Sequence, residues 1–241
     1  MAKTRSSLNE HSGRIGDEVY YTRFGKTFVR RRPKQFNDRQ SEAQLRQRAL
    51  FKARQKTSAL FGIILQRGLT KEAHEKGMTE ANYFSRLNKD CFVYNDGTVL
   101  INYPALLVAK GPLPIVGINK CRAKARNVKI TFYPNLEEQK ANPDDVVHIY
   151  AIEPQVEICQ LMASAKRQDG QAAFTLPDLS DEVDGNTPTT FYLYAIVESS
   201  STAHIPTLSA AEKQQHKLHR NINRRVSQSM FIGTVCCRGQ Q

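Results

Sequence analysis

The spacing of apolar and polar positions divides the chain into three regimes. Val19-Tyr20-Tyr21-Thr22-Arg23 and Lys26-Thr27-Phe28-Val29-Arg30 are β-rich runs separated by Phe24-Gly25. They read as a hairpin whose glycine supplies the positive φ of a tight turn. Alternation sets Val19, Tyr21 and Phe28 against Tyr20, Thr22 and Val29, so neither face is fully apolar. A two-stranded ribbon is marginal alone in water, so this hairpin must lean on something else before Pro33 stops it.

From Ser41 the period becomes helical. Ser41-Glu42-Ala43-Gln44 has the form of a capping box, and Leu45, Ala49, Ala53, Leu60 and Ile64 recur near 3.6-residue spacing among Arg46, Arg48, Lys52, Arg54 and Lys56. The pattern predicts a helix from about 41 to 66, roughly 39 Å long at 1.5 Å per residue. Shorter helices are predicted at about 71–77 and 79–89, the second opened by Thr79 and turning Ala81, Phe84 and Leu87 inward.

After about residue 97 the period is strand-like. Val99–Tyr103, Val128–Phe132, Val146–Ile152, Val156–Leu161, Ala172–Leu176, Phe191–Val197 and Met230–Val235 are seven candidate strands. Pro134-Asn135, Asn142-Pro143-Asp144-Asp145, Asp169-Gly170 and Asp184-Gly185-Asn186 supply turn signals between them. The expected fold is therefore mainly β with α: a basic N-terminal hairpin plus helices, then a C-terminal antiparallel β-sandwich of immunoglobulin or fibronectin type III kind. No helix alternates regularly with the strands, which disfavours a doubly wound α/β fold. The run Phe191–Val197 looks like the central aromatic strand of fibronectin type III modules. The expected division is a basic arm over 1–40, a helical region over 41–96 and a sandwich over 97–241 carrying an insertion at 199–228. Within that insertion Ser209 is positioned to cap a short helix.

Charge sharpens this division. The formal net charge is +12, and residues 1–70 hold 16 Lys+Arg against 5 Asp+Glu (+11), leaving 19 against 18 (+1) for the rest. A basic module joined to a nearly neutral body implies two different jobs, and the excess points to an anionic partner. Arg23, Lys26, Arg30, Arg31, Arg32 and Lys34 gather among Tyr20, Tyr21, Phe24 and Phe28. Cations neutralise phosphates and aromatic faces stack on bases, as in proteins that grip single strands; basic ribbons also pack on acidic protein surfaces. Tyr20, Tyr21 and Phe24 are the stacking candidates. Lys217, Arg220, Arg224 and Arg225 form a secondary basic patch in the insertion.

Catalytic signals are absent by comparison. The chain contains no G-x-S-x-G, P-loop, G-x-G-x-x-G or H-E-x-x-H pattern, so no enzyme activity and no cofactor are expected. His216 and His219 are three apart, a chelating spacing on a helix, but lack a neighbouring carboxylate or thiol and read as part of an exposed basic helix. Glu137-Glu138, Asp144-Asp145 and Asp181-Glu182 lie in turn-like sequence and read as caps. Cys91, Cys121, Cys159, Cys236 and Cys237 show no C-x-x-C spacing and read as reduced thiols, with no metal site. The most hydrophobic continuous run, Leu60–Leu65, is six residues against the ~20 of a membrane span. The N-terminus lacks the apolar stretch of a secretory signal, so a cytoplasmic protein is expected, unless a larger particle carries it out.

Several segments resemble an uncharacterised family of Bacteroidota proteins that also occurs in their phage-like elements. They are Ser12–Gly16, Val19-Tyr20-Tyr21, Gly25-Lys26-Thr27, Val29–Pro33, Ser41–Phe51 and Leu106–Pro114. Asp17-Glu18 and the length of the 199–228 insertion depart from that pattern. The resemblance implies a structural or assembly role and carries no catalytic residues. Together these readings predict a non-catalytic assembly or interaction protein with a protein partner or self-association through the arm. Nucleic-acid binding by the same arm is the first alternative and an enzyme of unknown type the second; neither membrane nor small-molecule substrate is expected.

Overall fold

Ile15 and Glu18 face each other across Gly16-Asp17, and Arg23 and Lys26 across residues 24–25, so two two-residue connections fold the N-terminus into a meander. Gly16 takes φ +59°, the left-handed backbone that such a hairpin turn requires. The computed structural model describes residues 3–4, 11–23, 26–35, 38–179, 188–200 and 225–237. Within it the strands β1 (Lys3–Thr4), β2 (His11–Ile15), β3 (Glu18–Arg23) and β4 (Lys26–Arg31) form one antiparallel sheet in that order. The expected hairpin is thus half of a larger sheet. Its missed half was signalled by Gly-Asp after the apolar-ended run His11–Ile15.

The chain divides into two compact units, Met1–Leu45 and Arg46–Gln241. Helix α1 (Glu42–Leu60) begins where Ser41 Oγ accepts from the backbone N–H of Gln44, as its capping sequence predicts. The single 26-residue helix expected from 41 to 66 is corrected. The chain turns at Phe61-Gly62, and α2 (Gly62–Gly68) follows. Phe61 is fully buried, with its ring 6.1 Å from Phe84 and 5.7 Å from Tyr194, and glycine is a poor helix former at the break. Leu45, expected in the core, is exposed; Leu50, Thr57 and Ser58 are the buried residues of α1. Helices α3 (Thr70–Glu75) and α4 (Glu80–Leu87) complete the helical layer, the latter capped by Thr79.

The remaining strands are β5 (Phe92–Asn95), β6 (Thr98–Ile101), β7 (Gly117–Lys124), β8 (Asn127–Tyr133), β9 (Val146–Glu153), β10 (Ile158–Lys166), β11 (Gln171–Thr175), β12 (Thr189–Glu198) and β13 (Met230–Cys237). They form a four-stranded sheet β10-β9-β12-β13, a three-stranded sheet β11-β8-β7 and the separate hairpin β5-β6. The expected strand at 99–103 therefore belongs to that hairpin and not to the main sheets. Val156-Glu157 lies in a turn, so the fourth expected strand starts later and runs to Lys166. Strand β7 was not expected at all. Its sequence, Gly-Ile-Asn-Lys-Cys-Arg-Ala-Lys, has cations on alternate positions and little apolar signal.

Burial explains the layering. Val147, Ile149, Ala151, Leu193, Ala195 and Val197 pack into one core with Val128, Ile130 and Phe132 of β8 and Ala172 of β11. The alternate residues Tyr150, Ile152, Tyr194 and Ile196 pack into a second core with Phe61, Ile64, Leu65, Leu69 and Phe84. The four-stranded sheet is thus covered by helices on one face and by the smaller sheet on the other. Strands buried on both faces read as continuous apolar runs, which is how β9 and β12 look.

The connector 106–113 buries Leu106, Val108, Ala109 and Leu113, and the first three pack into the core that the helices share with the four-stranded sheet. Asn88, also buried, donates from Nδ2 to the carbonyls of Phe84 (3.0 Å) and Leu107 (2.9 Å) and accepts from Leu107 N at 2.7 Å. Asn88→Ala strands both backbone groups of Leu107 out of water, and a loss of about 2 kcal/mol, read as a lower urea midpoint with unchanged slope, is expected.

Candidate functional site

Register and pleat sort the side chains of the N-terminal sheet. Residues directly opposite share a face, and successive residues alternate. Arg14, Val19 and Arg30 lie in line, as do Tyr21 and Phe28, while Lys26 stands two residues before Phe28. One face therefore carries Arg14, Lys26 and Arg30 around Val19 and a Tyr21–Phe28 stack with ring centroids 5.4 Å apart. The other carries Ile15, Glu18, Tyr20, Thr22, Thr27, Val29 and Arg31. On that face Glu18 is the register partner of Arg31 and accepts from the Tyr20 hydroxyl at 2.6 Å. This hydrogen bond and the carboxylate's charge raise the Tyr20 hydroxyl above its ordinary value.

The sheet therefore separates residues that proximity in sequence had grouped. Arg30 and Lys26 join Tyr21 on the cationic face, together with Arg14, which the sequence reading passed over because it lies on the unrecognised strand β2. Arg31 and Tyr20 occupy the opposite face. Arg32 follows β4, its N–H bonded to the Asp17 carbonyl at 2.8 Å, and Lys34 follows Pro33; both are exposed. The backbone of Arg23 pairs with Lys26. Phe24 lies outside the described residues, as do Lys217, Arg220 and Arg224, His216 and His219, the Ser209 cap and the Asp184-Gly185-Asn186 turn. Arg225 is exposed at the neck of the expected insertion. There the Ser199 N–H donates to the Arg225 carbonyl at 2.9 Å and the Ser227 N–H to Val197 at 2.9 Å. The insertion's expected last residues are thus core: Val226 and Ser227 are buried.

None of residues 12–22 and 26–35 is buried. Ile15 and Val29 are 54% and 53% exposed, and Tyr21 and Phe28 are exposed with them. Strands β2 to β4 are joined by two-residue connections, and with no buried side chain among residues 12–22 and 26–31 they have little to offset their ordering entropy.

A second polar cluster lies inside the body. His148 Nδ1 is 2.8 Å from Ser164 Oγ, its Nε2 is 3.2 Å from Glu198 Oε2, and Arg67 Nε meets the same carboxylate oxygen at 3.4 Å. The cluster ties α2 to β9, β10 and β12, with Arg67 compensating a carboxylate that is nearly buried. All five cysteines are free, and burial pushes the Cys159 thiol up to about 12, far from a reactive thiolate. Among the described residues no three of His, Cys, Asp and Glu gather to hold a metal ion, and no helix is long and apolar enough to cross a membrane.

Comparison of the chain with family models, curated proteins and solved structures gave no match.

Proposed function

We propose that this chain is a non-catalytic assembly protein of the cytoplasm, or of a phage-like particle formed there, that docks through its N-terminal sheet onto a partner protein or a second copy. The observation that carries the reading is the meander β2-β3-β4 itself, in which none of residues 12–22 and 26–31 has a buried side chain. Its less charged face, with Ile15, Val29 and Thr22, suits a protein surface. In the body, a four-stranded sheet β10-β9-β12-β13 set against β11-β8-β7 supports a fibronectin type III-like sandwich. The helices over its other face are then an elaboration of that architecture.

A second reading, nucleic-acid binding by the same sheet, is favoured by one observation: Arg14, Lys26 and Arg30 share a face with the Tyr21–Phe28 stack.

Size-exclusion chromatography with light scattering, at low and high salt, compares the full chain with a chain lacking residues 1–40. The full chain is expected to associate or to co-elute with its partner. The shortened chain is expected to run as a monomer with the melting temperature of its body within about 2 °C, since distant, independent parts add. A full chain that stays monomeric at every salt concentration and captures nothing overturns the reading. Association that appears only with added nucleic acid and vanishes at high salt replaces it with the second reading.

A further inference from the structure

We propose that the outer face of the three-stranded sheet β11-β8-β7 is a platform for single-stranded nucleic acid, distinct from the N-terminal sheet. The inner face of this sheet is core, with Val128, Ile130, Phe132 and Ala172 buried. The residues that alternate with them face outward. On β7 these are Lys120, Arg122 and Lys124; on β8 they are Asn127, Lys129, Thr131 and Tyr133; on β11, Gln171, Ala173 and Thr175. All four cations are exposed.

The net charge of +1 for residues 71–241 conceals this sorting, because the body's carboxylates lie elsewhere. The outward positions include no Asp or Glu, and none of the four cations is ion-paired with a described residue. By contrast, Arg126 in the adjoining turn is paired with Asp178 at 2.8 Å. Arg122 and Lys129 are direct cross-strand partners. Like charges placed opposite each other destabilise a sheet, so folding alone does not account for the pair, whereas a bound polyanion does.

Geometry favours a nucleic-acid strand over an acidic protein. Past a bulge between Ile118 and Lys120, Lys120, Arg122 and Lys124 recur at about 6.8 Å along one strand, an even array suited to a chain of regularly spaced phosphates. Ala173, opposite Lys129, leaves room beside the cations, where Arg122, Lys124, Asn127, Lys129 and Thr175 line a shallow depression. At the end of the same face Tyr133 is 58% exposed and stands opposite Gly117, which has no side chain to cover the ring. Cations tracking a backbone beside an open aromatic face are the means by which single strands are held without sequence reading.

The test is fluorescence anisotropy of labelled oligothymidylate with the full chain. It is run both in the natural sequence and in a background with Arg14, Lys26, Arg30, Arg31, Arg32 and Lys34 changed to Gln, which brings the net charge of residues 1–40 from +6 to zero. Since the log–log salt slope is about −0.7 per phosphate contact for single strands, Arg122→Gln/Lys129→Gln is expected to flatten it by about 1.4 in both backgrounds and to weaken low-salt binding at least about tenfold. Tyr133→Ala is expected to weaken binding about tenfold with the slope unchanged. The double variant should melt no lower than the natural chain, because it relieves the Arg122–Lys129 opposition. Should it nevertheless fail to fold, photo-crosslinking of bromodeoxyuridine strands to the natural chain, expected on the peptide containing Tyr133, decides the question. The proposal is overturned by absence of binding in the arm-neutral background or by affinity and slope indifferent to both variants. Loss of poly-glutamate binding with oligothymidylate binding intact overturns it too, and assigns the face to an acidic protein.

Discussion

Arg167→Met lowers the melting temperature by about 10 °C, reflecting a loss of about 3–5 kcal/mol from breaking a buried ion pair in a domain of this size. Arg167 has no exposed surface, and its guanidinium joins three stretches of chain. Nη1 donates to the Pro134 carbonyl at 2.7 Å, Nη2 to the Pro114 carbonyl at 2.6 Å, and Nε meets Asp145 Oδ2 at 3.5 Å. Burial lowers the guanidinium's affinity for its proton, and the charge of Asp145 opposes that effect. Asp145, also buried, accepts in addition from the backbone N–H groups of Asn142 (3.0 Å) and Ser200 (3.3 Å). Methionine fills much of the volume but supplies no donor, leaving two carbonyls and a carboxylate unmatched. Differential scanning calorimetry reads the effect. A variant within about 2 °C of the natural chain would show that water enters and replaces the guanidinium, and that the latch is not structural.

Gly111→Ala comes second, at about 3 kcal/mol from overpacking and a drop of roughly 8 °C. A Cβ there would stand 2.1 Å from the Val226 carbonyl oxygen and 2.9 Å from its carbon. The obstacle is backbone and not the end of a flexible side chain. Val226 is itself held, since its carbonyl accepts from Leu113 N at 3.1 Å and the next residue, Ser227, bonds to Val197 through both N–H and hydroxyl. The clash therefore pulls on the neck of the 199–228 segment, and faster amide exchange at Ser199 and Ser227 is expected. Gly62→Ala is the control. Nothing lies within 4 Å of its added Cβ, and a gain of about 0.5–1 kcal/mol is expected at this helical position. Equal melting of the two variants would sink the argument from close approach.

The connector that Gly111 belongs to shows what could and could not be read in advance. Leu106–Pro114 stands out in sequence as a motif without a secondary-structure period. Its role is visible only once Asn88, Gly68, Val226 and Ser229 are seen to satisfy its backbone: Lys110 N bonds to Gly68, Val108 N to the Ser229 hydroxyl and Ser229 N to Ala109. These partners come from up to 121 residues away in the chain, and no local pattern encodes such pairing. The candidate site behaved likewise. The basic run at 23–34 was plain as composition, but its division into a cationic face and a mixed face depends on strand pairing with β2 and β4.

The sequence by itself determined the class of elements and where most of them begin. Capping at Ser41 and Thr79, the turn at Gly170, and the apolar runs of β9 and β12 act within a few residues, so local chemistry expresses them directly. It also determined that the charge excess lies in the first seventy residues. Tertiary structure alone decided that the four-stranded sheet is covered on both faces, that Phe61 ends the first helix, and that residues 71–241, of net charge +1, present a cationic face. Each of these follows from which surfaces meet across the fold. Burial and register are properties of pairs of segments, and a count along one chain averages over the faces that pairing separates.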